Sequence, residues 1–200
     1  NLRGALYMTL SMAGFTLNDA CVKLVAETVP LFQIVFLRGV ATTILLAVVV
    51  QMTTGLRFAI PRRDRPLVAG RTLAEVAAMV AFLMALTNIA IANATAILAA
   101  LPLAVTLGAA VVFGHPVGWR RLTAILIGFA GVMLIVQPGT EGFNAWSLLA
   151  LLAVVIITAR DLLTRAFSPE VPSMTVAVVT AAAVAVFGGV ISAFTPWAAM

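Results

Sequence analysis

Residues 18–30 read NDACVKLVAETVP, and residues 160–172 read RDLLTRAFSPEVP. Asp19, Lys23, Val29 and Pro30 of the first stretch return as Asp161, Arg165, Val171 and Pro172 of the second, always 142 residues later. Each copy places an acid and a cation four residues apart inside a hydrophobic run, closes the run with Val-Pro and opens another. Two hairpins of the same pattern at a fixed offset are read as the openings of two internal repeats.

The composition says what kind of solvent surrounds these hairpins. Hydrophobic residues make up 63% of the 200-residue chain and charged residues 10%, far from the make-up of a water-soluble domain. In a bilayer every backbone polar group needs an internal partner, which leaves helices or a closed barrel. Long Ala/Leu/Val runs without strict alternation select helices. The fold class is therefore all-α, a polytopic bundle with seven transmembrane helices in this chain.

Those spans are expected at residues 4–26, 31–51, 71–91, 95–113, 122–136, 146–164 and 173–194, at about 20 residues per crossing. The longest polar segment, residues 53–70, carries Arg57, Arg62, Arg63 and Arg65 against Asp64 alone. A turn is expected at Ala92, Asn93 and Ala94, and a kink at Pro102, whose ring removes a backbone bond. Gly128 and Gly131, with the alanines of the fourth span, would let helices approach closely. The first run is too long and too lightly charged at its start for a signal peptide and is read as a retained helix. Cys21 has no partner thiol in the sequence.

The net charge of +5 does not point to nucleic acid, because most cations fall at helix ends and in short connections. Connections two, four and six hold four, two and one basic residues, and connections one, three and five hold none. The positive-inside rule then places the N-terminus in the cytoplasm. It also sends the first and sixth spans through the bilayer in opposite senses, so the repeats are inverted. On this reading residues 1–142 form a first five-helix repeat and residues 143–200 the start of a second. The remainder would fall at positions 201–284, so a protein of about ten spans is expected.

Ionisable residues inside a span mark candidate sites. Asp19 and Lys23, four apart on one helix, can pair with each other, and Arg38 lies at similar depth as a structural partner. Asp19 has a competing reading as a gating or proton-coupling group. Asn18 and Arg160 are equivalent under the offset, and an inverted two-fold would set them on opposite sides of a central cavity. The Arg160 guanidinium could clamp a carboxylate or phosphate, or instead snorkel or pair with Asp161 or Glu170. Glu75 heads a stripe of Met79, Phe82 and Leu86 at helical spacing, with Arg71 as a ready structural partner; such a stripe is also ordinary packing.

Other chemistry finds little support. The sequence has no G-x-x-x-x-G-K-[ST] and no H-E-x-x-H, and its one histidine, His115, falls between spans. Nucleotide hydrolysis by a P-loop and zinc-dependent proteolysis have no motif to rest on. An aspartyl dyad of Asp19 and Asp161 would lie near opposite faces of the membrane. No cofactor and no metal are expected.

PLFQIVFLRG at residues 30–39 and ALPLAVTLGAAVVFGHPVGWRRLTAILIGFAGVMLIVQP at residues 100–138, together with the late Asp and Lys of the opening helix, resemble the EamA family of the drug/metabolite transporter superfamily. The resemblance implies a ten-helix carrier of the bacterial inner membrane that moves amino acids or other small metabolites, often outward, by alternating access. It points to Asn18, Glu75, Met79, Phe82, Pro102 and Arg160 as cavity residues. Where many members have Gly-Glu after the fourth helix, this chain has Gly114-His115.

The resulting expectation is a secondary transporter for a zwitterionic or anionic small molecule. Asn18, Glu75, Met79, Phe82, Pro102 and Arg160 bind substrate, and Asp19, Lys23, Asp161 and Arg165 serve coupling or gating. Two other classes fit a bundle with buried charges: an intramembrane enzyme for lipid-linked substrates, and a helical scaffold.

Overall fold

A computed structural model describes residues 2–53, 55, 60–114, 118–137, 144–195 and 197. It is all-helical among these residues, with α1 Leu2–Val25, α2 Leu31–Thr53, α3 Arg65–Asn88, α4 Ile91–Ala99, α5 Leu101–Phe113, α6 Trp119–Val136, α7 Ala145–Arg165 and α8 Ser173–Ser192. α4 and α5 are halves of one broken rod, so the described residues make seven. Six rods are long and apolar enough to cross a membrane. The 24-residue α1 has the length, but Asn18, Asp19 and Lys23 dilute its apolar run and it is not among the six. Large side chains such as Leu45, Met52, Val111, Ile127 and Leu134 point outward at 67–81% exposure, which suits hydrocarbon and not water.

Local chemistry sets the helix ends. α3 starts at Arg65, six residues before the expected Arg71, because Pro66 in the first turn has no N–H to leave unpaired. The arginines at 62, 63 and 65 and the prolines at 61 and 66 mask that helical turn in the sequence. The expected turn at Ala92–Asn93–Ala94 is also displaced: these residues are helical, and the chain reverses at Ile89–Ala90 instead. The broken rod bends at Ala100, two residues ahead of Pro102, where the proline frees a carbonyl and the helix restarts. Gly114 ends α5 with a φ of 66°, a left-handed conformation that glycine adopts without penalty. Asn144 caps α7 by accepting hydrogen bonds from the Trp146 and Ser147 amides at 3.0 and 3.3 Å. His115 lies outside the described residues.

Two antiparallel helix pairs form the backbone of the bundle, α2 on α8 and α3 on α7. On the first pair a Cβ at Gly39 would come within 2.7 Å of the Ala185 Cα, and one at Gly188 within 2.8 Å of the Phe36 nitrogen. Only hydrogens fit there, so the two backbones nearly touch. Phe32 meets Phe187 edge-on at 6.4 Å, and Phe36 meets Trp197 at 5.9 Å. At Gly128 the facing atoms belong to Leu103, whereas Gly131 faces open space, so only the first of that pair serves close packing.

The antiparallel run of α2 against α8 is compatible with an inverted arrangement of the two opening hairpins. The main core, with Leu83, Leu86, Ile97, Val132, Ala150 and Val154, fills the volume between α3, α4, α6 and α7. At the other end of α3, the α2–α3 and α7–α8 connections are tied together. Asp64, 3% exposed, accepts hydrogen bonds from the Ser168 hydroxyl at 2.5 Å and its amide at 3.4 Å. Arg63 stands 3.6 Å from both Asp64 and Glu170, while Val68, Val171 and Val176 pack beneath. Because its carboxylate is used in this way, Asp64 gives no side-chain cap to α3.

Candidate functional site

α3 presents Arg71, Glu75, Met79 and Leu83 at four-residue intervals, which puts all four on one stripe. Facing them are Ile34, Val35, Arg38, Gly39, Thr42 and Leu46 of α2, and Ala177, Thr180, Ala181 and Val184 of α8. The three helices enclose a cleft of about 240 Å³, near the small end of ligand sites. Its walls are mostly aliphatic. Arg38, Thr42, Arg71, Glu75 and Thr180 supply the polar positions.

The charges beside this cleft hold one another. Arg160 Nη1 donates to both Glu75 carboxylate oxygens at 3.0 and 2.9 Å. Its Nε and Nη2 donate to Asp161 Oδ1 at 3.0 and 2.8 Å. Arg71 lies 3.8 Å from Glu75, and donates through Nε to Thr164 at 3.1 Å and through Nη1 to Thr180 at 2.7 Å. Two arginines and two carboxylates thus knit α3, α7 and α8 into a neutral layer at one end of the cleft. One Arg160 nitrogen serves both Glu75 oxygens and two others converge on a single Asp161 oxygen, and such charge-assisted hydrogen bonds offset part of the cost of burying the charges.

A second, more open cleft lies between α1 and α2, lined by Gly14, Phe15, Asn18, Arg38 and Thr42. Arg38 and Thr42 therefore border both spaces. Asp19 accepts a hydrogen bond from the Asn18 amide at 3.2 Å and is close enough to Arg38 for their charges to interact. The expected Asp19–Lys23 pair is not formed. Lys23 Nζ instead donates to the Leu86 carbonyl at 3.1 Å and to the Ile89 carbonyl. Carbonyls at a helix C-terminus lack intrahelical partners and carry the negative end of the dipole, and they attract the ammonium.

Of the sequence-derived candidates, Glu75 and Met79 line the main cleft, and Asn18 lines the outer one. Arg160 and Asp161 stand behind Glu75 in the ion-pair layer rather than on the wall. Phe82 packs against the core, Pro102 is exposed at the helix break, and Arg165 is exposed in the last turn of α7. Asn18 and Arg160 do not share one cavity. Sequence reasoning paired Arg38 with Asp19 and left it out of the site. Its signal was a cation eight residues inside an apolar helix, in register with Ile34, Thr42 and Leu46.

A bundle of apolar helices long enough to cross a membrane, with a partly polar cleft and an ion-pair layer beside it, defines a class, the polytopic membrane proteins. The chain belongs to the EamA-like transporter family, whose model matches residues 2–137. It is 25% identical over 169 residues to an S-adenosylmethionine uptake transporter of Rickettsia prowazekii, covering 83% of this chain and 56% of that one. It is 24% identical over 166 residues to the pseudopaline exporter CntI of Pseudomonas aeruginosa, covering 82% and 57%. A riboflavin transporter of Rhizobium johnstonii is 32% identical over 88 residues, 44% of this chain and 29% of that one. The chain thus spans little more than half the length of the first of these relatives. No solved structure matches the chain at a significant level.

Proposed function

We propose that the chain forms the larger part of a secondary carrier that moves an amino acid or similar small metabolite, zwitterionic or anionic, across the bacterial inner membrane by alternating access, most naturally outward. The observation that carries this reading is the cleft between α2, α3 and α8, an aliphatic pocket at membrane depth with Arg38, Arg71 and Glu75 on its walls. Intramembrane charge is costly, and substrate or ion pathways are among the reasons to retain it. Relatives that take up S-adenosylmethionine or export pseudopaline support small polar cargo and leave both directions open.

In this reading residues 1–142 and 143–200 belong to two repeats threaded in opposite senses, with the N-terminus cytoplasmic. Glu75, Met79 and Asn18 face the substrate route. Arg160 holds Glu75 in place from α7, and Phe82 and Pro102 shape the helices behind the wall. Asp19 and Glu75 are the available proton carriers, and Lys23, Asp161 and Arg165 act in gating. Flux of radiolabelled amino acids into sealed proteoliposomes of the full-length protein tests it. Dependence on a sealed compartment supports a carrier, whereas product formation in detergent would replace it with an enzyme.

A further inference from the structure

Around the two clefts, the ion-pair layer and the α1–α3 contact stand the cations Lys23, Arg38, Arg71 and Arg160 and the carboxylates Asp19, Glu75 and Asp161. Three of the cations are satisfied. Lys23 sits on helix-end carbonyls, Arg160 on two carboxylates, and Arg71 on Thr164, Thr180 and Glu75.

Arg38 differs. It lines both clefts, and the opposing charge that acts on it, Asp19, already accepts a hydrogen bond from Asn18. Glu75 across the cleft is occupied by Arg160 and Arg71. The surplus positive charge of the site is thus concentrated on the arginine that lines both spaces.

We infer that Arg38 is the specificity-determining anchor for a carboxylate on the transported molecule, whose apolar body lies against Ile34, Val35, Met79 and Leu83. This rests on the carrier reading above and adds the ligand chemistry to it. A guanidinium presents a planar fork that matches a carboxylate in two parallel hydrogen bonds. Arg38 is exposed toward these spaces, so its fork is open to a ligand, and a charge this far inside an apolar helix is commonly kept for function. The position of Arg38 between the spaces lets one anchor serve the ligand as it passes from one to the other, with Asp19 taking the guanidinium when the ligand leaves.

The test uses the full-length protein in detergent with three probes of similar size: 3-phenylpropionate, L-phenylalanine and L-phenylalaninamide. The two acids raise the melting temperature and the amide does not. Arg38→Gln leaves the melting temperature of the ligand-free protein unchanged or raises it, and binds the acids at least tenfold more weakly. Arg38→Lys keeps part of the acid response. Equal stabilisation by amide and acids, no stabilisation by either acid, or a fall in melting temperature on Arg38→Gln, as loss of a purely structural pair with Asp19 would give, overturns the inference. Uptake of the same probes into sealed vesicles separates the two ideas. Flux of the amide without the acids removes the Arg38 assignment and leaves a carrier, and flux of none of them removes the carrier reading for this class.

Discussion

Arg160→Met probes the ion-pair layer, because methionine keeps an unbranched stem and deletes the guanidinium. At 2.9 Å, and an effective dielectric of about 20, the attraction between Arg160 and Glu75 is about 6 kcal/mol before desolvation is counted. Removing one member of a buried pair costs about 3–5 kcal/mol, because the partner stays behind uncompensated. Glu75 and Arg160 retain 26% and 22% side-chain exposure, and Arg71 still faces Glu75, which places the loss at the low end, about 3 kcal/mol. Glu75→Gln should cost less, since the amide still accepts a hydrogen bond. The double variant Glu75→Gln/Arg160→Met should fall short of additivity by about 1–3 kcal/mol. Denaturant unfolding in mixed micelles gives all three values. Additivity within about 0.5 kcal/mol would show that the two side chains do not depend on each other and would refute the proposed layer.

Four further outcomes follow from the geometry. Arg160→Ala should impair transport by releasing Glu75 from α7 while leaving insertion intact, and normal flux in vesicles of both orientations would rule out that role. Gly188→Val at the α2–α8 crossing should cost about 1–3 kcal/mol or more, because its new side chain meets the Phe36 backbone; thermal unfolding reads the loss. Lys23→Met should loosen the α1 contact with the end of α3 by about 1–2 kcal/mol, seen as faster hydrogen exchange at residues 86–90. The Ser168 hydroxyl, hydrogen-bonded to Asp64, holds its carboxyl below the ordinary 3.8, despite some desolvation. A depressed folded pKa means that the stabilisation is complete at neutral pH, shrinks as pH drops below 3.8 and is gone below the folded value. Ser168→Ala should flatten that acid limb in a stability-versus-pH series.

The bundle was legible because apolar runs of about 20 residues have one physical outcome in a bilayer, and six of the seven expected rods lie within a few residues of their predicted bounds. The differences lie where breaker or polar residues continue a helix. Arg65 to Gly70 reads as loop because of Pro66 and Gly70, although Pro66 stands in the first turn of α3, and Asn93 reads as turn, although it lies inside α4. Side-chain partners were harder to read. The i,i+4 rule offered Lys23 to Asp19, but the end of α3 is brought to Lys23 by packing that no local spacing encodes. The Glu75–Arg160 contact joins residues 85 apart in sequence, and periodicity says nothing about which helices become neighbours. Arg38 was visible as a charge out of place, and only the three-helix cleft showed what it faces.

The central claim is that the space between α2, α3 and α8 is a substrate route opened to one side of the membrane at a time. A cysteine at Met79 in a Cys21→Ser background of the full-length protein, probed with a membrane-impermeant maleimide added to either face of sealed vesicles, tests it most directly. The account predicts labelling from both faces, with a transported acid shifting the balance between them; labelling from neither face, or from one face with no response to any substrate, would contradict it.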